Sequence, residues 1–346
     1  MSAVEPSPEP PARSAWLSPA RLAATGALLL LVVVVILWLA PAGGYDLQLV
    51  DPAHPVAPLV HIKGERHARG NGAIYFLDVR ERPARLIERL VPWTRADGSS
   101  LVRSPPISSS VERRLGAVQM ADSQKVAPYV ALKYLGYKVR AQIGGVSVLT
   151  VEQSAPAAHV LAPNDVIVSA DGHRVETIGD LHAALADKRP GDRVTLRFRR
   201  GEKIQTAKLA TVADPEDSKR AIVGVSALDE LQVHLPIPIT INAGAIGGPS
   251  AGLAFALDIL QELGRNVAHG RRVAATGELA LNGDVEPIGG VKQKTLGARR
   301  AGVDVFLVPA GENATEARRY ADGLRIIPVE TFQQALQKLA TLGRRA

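Results

Sequence analysis

Ser250 closes a glycine-rich run, Gly244-Ala245-Ile246-Gly247-Gly248-Pro249-Ser250-Ala251-Gly252. A helical pattern follows it to Leu263, with Leu253, Ala256, Leu257, Leu260 and Leu263 on one face. That placement suits a nucleophile. The glycines let another chain approach closely, and free N–H groups at a helix N-terminus favour a developing oxyanion. A plain N-cap serine would look the same locally. A serine hydroxyl attacks only when a base takes its proton. A lysine can act as that base only when neutral, and burial lowers its pKa in that direction. Lys292 and Lys294 lie two apart on a helical stretch, 291–301, so they point to different faces. Val291, Leu296 and Ala298 give Lys294 apolar neighbours.

Other chemistries find little support. The chain has no cysteine, which excludes thiol nucleophiles, disulfides and thiolate-held metals. It contains no HExxH pair, and His54, His61 and His67 are too loosely spaced to ligate a metal. No GxxxxGK[ST] phosphate loop is present. Neither a cofactor nor a metal is expected.

The elements that must carry Ser250 and the lysines can be read outward from them. Leu231, Val233, Leu235, Ile237, Ile239 and Ile241 alternate with polar residues and prolines, which predicts one long half-buried strand. Pro236 and Pro238 cannot donate to a ladder, so that strand belongs at an edge, where an extended peptide could pair with it. His234 falls on its polar face. Beyond the serine come a strand at 273–281, the hairpin turn Asn282-Gly283, a buried strand at 303–308, a strand at 326–329 and a helix at 331–342.

Upstream, residues 137–211 form a compact pattern. Strands are expected at 145–151 and 165–170, with a hairpin turn at Asp171-Gly172 and a helix capped by Thr177. An alternating strand, with Val194, Leu196 and Phe198 inward, follows. Residues 46–124 are β-rich, with strands at 56–62 and 72–79, and a helix runs from Ser123 to Leu135, ended by Gly136, despite Pro128.

Residues 22–45 carry no charge, and their centre is almost entirely Leu, Val and Ile. About 20 apolar residues suffice to span a bilayer. Arg13 and Arg21 precede the span, whereas the next basic residue after it is Lys63. The positive-inside rule then puts residues 1–21 in the cytoplasm as a disordered, Pro-rich tail and the remainder outside, with Trp38 as an interfacial anchor. Ala40-Pro41-Ala42 also reads as a cleavage site, which would make the span a signal peptide with the same direction of export.

Of 346 residues, 46% are apolar but only 4% aromatic, so the cores must be aliphatic. The net charge of +7 comes from scattered Lys and Arg with no basic-aromatic stripe, which argues against nucleic acid as a partner.

Two resemblances give these patterns a family context. The segments GVSVLTV at 145–151, SAPAAHVLAPNDVIVSADGHRV at 154–175 and RPGDRVTLRFRRG at 189–201 resemble a bacterial protease-associated PDZ domain. The departure is Asn164 where such domains have glycine, although asparagine tolerates the left-handed conformation. The resemblance implies a peptide-binding loop at Gly144, Gly145, Val146 and Ser147. GPSAGL at 248–253, TGEL at 276–279, PIGGVKQK at 287–294 and ARRAGVDVFLVP at 298–309 resemble the proteolytic domain of the Lon family over residues 221–340. This implies Ser250 as nucleophile, Lys294 as base, Lys292 as a surface neighbour and Thr276 as a hydroxyl partner of the lysine. The same resemblance implies an oxyanion loop at Gly247, Gly248 and Ala251. Gly247 stands where many ATP-dependent members carry aspartate. Such domains form rings, so a homo-oligomer is expected.

The expected organisation is an α+β chain: tail 1–21, transmembrane helix 22–45, first protease strands 46–124, PDZ-like unit 125–212 and Lon-type domain 213–346. The expected activity is ATP-independent serine endopeptidase action on envelope or secreted polypeptides, with the PDZ-like unit selecting or gating them. The competing reading is a non-catalytic peptide-binding scaffold.

Overall fold

The computed structural model describes residues 19–64 and 71–342. The Pro-rich start, Arg13 and His67 lie outside the described residues. The N-terminal elements are α1 (Pro19–Leu39), β1 (Pro41–Val50), β2 (His54–Pro55), β3 (Val60–Ile62), β4 (Ala73–Phe76), β5 (Val79–Arg85), α2 (Leu86–Leu90), β6 (Ser100–Arg103) and α3 (Ser109–Tyr134). There follow β7 (Arg140–Val151), β8 (Val166–Ala170), β9 (His173–Arg174), α4 (Ile178–Leu185), β10 (Arg193–Arg200), β11 (Lys203–Ala210), β12 (Val212–Ala213) and β13 (Ala221–Ile222). The last part holds β14 (Val225–His234), β15 (Ile239–Ile241), α5 (Gly252–Glu262), β16 (Arg272–Ala275), β17 (Glu278–Leu279), β18 (Val285–Glu286), α6 (Val291–Arg300), β19 (Val305–Pro309), α7 (Glu312–Arg319), β20 (Arg325–Val329) and α8 (Phe332–Ala340). Mixed helices and strands make this an α+β chain.

The chain divides into two compact units, residues 1–48 with 81–104, and residues 49–80 with 105–346. In the first, α1 is long and apolar enough to cross a membrane. It stops at Leu39, short of the uncharged stretch, because Pro41 cannot donate the next helical hydrogen bond. Residues 41–50 instead form the central strand of the sheet β5-β1-β6. The buried Glu88 carboxylate takes the Arg82 guanidinium at 2.5 Å and the Arg85 N–H at 2.8 Å, and Arg82 holds its pKa below the usual range. Within residues 46–124, β6 and most of β5 lie in this first unit.

The second unit is built on the sheet β2-β4-β16-β19-β20. β4, β16, β19 and β20 run parallel, and β2 pairs antiparallel with β4. Both faces are covered, as a parallel sheet requires. Val273, Ala275, Val305 and Leu307 point into one core with Leu253, Leu257 and α3. Ala274, Phe306 and Val308 point into another with Val291 and Ala298 of α6.

α3 begins at Ser109, well before the expected Ser123, with the Ser108 hydroxyl accepting from Val111 N–H at 3.4 Å. Its Val126–Leu132 stretch is buried beside Leu253 and Phe255. The buried residues of the PDZ-like core begin at Val146.

That PDZ-like region is the sheet β11-β10-β8-β7-β14 with α4 packed on it. Asn164 adopts φ 72° as its turn requires, and Thr177 caps α4 with Asp180 reciprocating. Two expectations fail. Gly144, Gly145, Val146 and Ser147 lie inside β7 rather than in a loop, and Val146 is fully buried between β8 and β14. The long strand at 231–241 splits into β14 and β15 because Pro236 and Pro238 remove the donors between them.

Candidate active site

Lys294 is placed by α6. The helix starts at Gly290 with φ +70°, where an added Cβ would come within 2.6 Å of Val79 Cγ2. Lys294 N–H donates to the Gly290 carbonyl at 3.0 Å, which puts the side chain one turn in, on the buried face. Lys294 is only 4% exposed, and its Nζ donates to Ser250 Oγ at 2.7 Å. Lys292 faces elsewhere, its Nζ 5.6 Å from the Tyr320 ring centroid.

Ser250 is not the helix cap. Ala251 occupies that position ahead of α5, and the Ser250 hydroxyl is engaged by Lys294 instead. Its backbone is fixed from behind: Gly277 N–H and the Thr276 hydroxyl both donate to the Ser250 carbonyl, at 2.8 and 3.1 Å. Thr276, fully buried, thus braces the serine's backbone.

α3 supplies contacts that sequence reasoning missed. Gly248 N–H donates to the Gly116 carbonyl at 2.8 Å, which commits one of the three loop residues expected around the oxyanion to holding the loop. Gly247 and Gly116 meet almost backbone to backbone, since a Cβ on Gly247 would lie 3.3 Å from the Gly116 carbonyl carbon. Ser123 Oγ donates to the Pro249 carbonyl at 3.3 Å. Nothing local marks Gly116 or Ser123, whose partners lie far along the chain.

An acidic group also acts on Lys294 although Gly247 carries no carboxylate. Burial, then Asp51, push the Asp78 carboxyl above its ordinary value, while His54 and the Lys294 charge pull it back. The His54 imidazole bridges the two carboxylates, 3.3 Å from Asp51 and 3.5 Å from Asp78. Arg80 donates to Asp51 at 2.8 Å. These three ligand-type groups lie within 4.8 Å of one another, and the buried Asp78 Oδ1 has no hydrogen-bond partner.

Two domain families match the chain. Residues 204–341 match the Lon protease (S16) C-terminal proteolytic domain, and residues 133–211 match the PDZ domain. The chain is 34% identical over 164 residues to the Lon protease of Roseiflexus castenholzii, covering 46% of this chain and 19% of that protein. It is 37% identical over 110 residues to Lon protease 2 of Bacillus subtilis, covering 32% of this chain and 19% of that protein. The chain thus spans about a fifth of these relatives' length. Among solved structures, the PDZ domain of an SdrC-like protein from Listeria monocytogenes is 27% identical, with 24% of this chain and 87% of that one covered and a TM-score of 0.23.

Proposed function

We propose that the chain is a serine endopeptidase with Ser250 as nucleophile and Lys294 as base. The observation that carries this reading is the buried contact of 2.7 Å between Lys294 Nζ and Ser250 Oγ. In its neutral form Nζ takes the hydroxyl proton as Oγ attacks a scissile carbonyl. The resulting ammonium returns the proton to the departing amine, leaving an acyl-enzyme. Water then repeats the sequence and releases the acid product. Positioned base catalysis contributes roughly 10²–10⁴ in rate. N–H donors in the loop before α5 would hold the oxyanion.

The finer reading is an envelope enzyme. α1 anchors it with the N-terminus in the cytoplasm and the catalytic part outside. It works without ATP on flexible or unfolded polypeptides, the PDZ-like unit selects or gates them, and the chain assembles with copies of itself. An extended substrate would pair along an edge beside β15, which carries the chain towards Ser250. The full chain in detergent, incubated with an unfolded labelled polypeptide beside Ser250→Ala, tests the chemistry. Cleavage by the wild type alone supports it, and equal cleavage by both forms overturns it in favour of a peptide-binding scaffold.

A further inference from the structure

β7 has β8 on one side and β14 on the other. PDZ-type units take an extended peptide as an added strand on such an edge. Here the chain itself fills it. β14 runs antiparallel along the whole of β7, from Val225 opposite Val151 to His234 opposite Arg140. Gly144 and Gly145 together face the single residue Glu230, so the ladder bulges there and β14 continues past it.

The seat is specific. The Asp229 carboxylate accepts Ile178 N–H at 2.7 Å at the start of α4. Arg199 Nη2 reaches both Glu230 oxygens, at 2.7 and 2.6 Å. Gln232 Nε2 donates to the Gly144 carbonyl at 3.4 Å. β14 also divides its side chains between two cores. Val225 and Ala227 pack on the PDZ-like core, while Leu231 is buried in the core that holds Leu253, with Val233 against it. Lys125 of α3 donates to the Leu231 carbonyl at 2.9 Å. The same helix holds Pro249 through Ser123.

We propose that β14 is the resident ligand of the PDZ-like groove. The unit then binds its own chain in cis and tethers the nucleophile segment, and an outside peptide strand enters only by displacing β14. This narrows the proposed gating role; only its activity arm rests on the Ser–Lys reading.

The test uses the full chain in detergent and a fluorescein-labelled synthetic peptide of the β14 sequence, VSALDELQVH. Anisotropy is followed for wild type, Asp229→Ala and Ala227→Asp. The expected result is weak or no binding to wild type and an apparent Kd at least about tenfold lower in Asp229→Ala, which loses one charged hydrogen bond of the seat. Saturable binding of equal affinity to wild type and variants means an open groove and overturns the proposal. If no form binds, hydrogen exchange decides. β14 amides as slow as those of β8 and β10 in wild type, and faster in Asp229→Ala, support it; wild-type β14 amides exchanging like free peptide overturn it. Cleavage of an unfolded polypeptide should fall in both variants. A wild type that cleaves nothing would sink the enzyme reading while leaving the binding and exchange results standing.

Discussion

Ser123 Oγ donates to the Pro249 carbonyl at 3.3 Å, across 126 residues of sequence. The donor sits on a helix that carries none of the proposed reacting groups, and the acceptor immediately precedes Ser250, the proposed nucleophile. Ser123 is therefore a positioning residue. Its removal leaves the Pro249 carbonyl to the Gly252 N–H, at 3.2 Å, and loosens the loop's tie to α3.

Ser123→Ala should lower kcat about fivefold, equivalent to roughly 1 kcal/mol for one such hydrogen bond. KM should stay unchanged, because substrate contacts are untouched. Steady-state kinetics on a fluorogenic peptide read both constants. A variant with wild-type kcat would show that α3 plays no part in setting the serine.

The two lysines of α6 separate by function. Lys294→Met should lose about 10²–10⁴ of the rate. Lys292→Met should keep activity and lose at most about 1 kcal/mol of stability, from its contact with the Tyr320 ring. Parallel assays and thermal melts of the two variants distinguish them. The reverse pattern would assign the base to the other lysine.

Much of the Ser250–Lys294 geometry was legible because each half is marked locally. The glycine run before α5, and the helical period that separates Lys292 from Lys294 onto different faces, need no distant partner to be read. Asn164 was legible for the same reason, as a turn residue whose φ its side chain tolerates. The Gly144-Gly145 pair misled because glycine reads as a loop, and its strand identity depends on β14, whose Gln232 lies 88 residues on. The first half of α3 failed similarly. Gly116 lowers local helix propensity, and its reason for being there is the approach of Gly247. Asp78 looked like the end of a strand, and only the folded chain brings it under the influence of Lys294.

Asp78 yields a pH prediction with a definite sign. Its carboxyl is raised, chiefly by burial, so the native state holds that proton more tightly than the unfolded chain. Its contribution is favourable below the unfolded value and is lost as pH rises towards the folded one. Asp78→Asn should therefore melt above wild type at neutral pH, with the gain fading near about pH 4. The Lys294 charge lowers the Asp78 pKa, so by reciprocity the Asp78 carboxylate favours charged Lys294. Without it the amine becomes neutral more readily, and the acid limb of the kcat/KM profile should move to lower pH. An acid limb that stays put or moves up would disconnect Asp78 from the base.

Gly290 tests whether the lysine's placement depends on where its helix begins. At φ +70° any other residue is strained by roughly 1–2 kcal/mol. A Cβ there would also press on Val79 Cγ2 at 2.6 Å, a β-branched side chain with little rotamer freedom to yield. Lys294 N–H is anchored on the Gly290 carbonyl, so any shift in that turn is carried directly to Nζ. Gly290→Ala should lower the melting temperature and reduce kcat together. Adding Val79→Ala to make room should recover part of the activity even though the backbone strain remains. If Gly290→Ala alone matched wild type in both measurements, the start of α6 would not control the 2.7 Å contact.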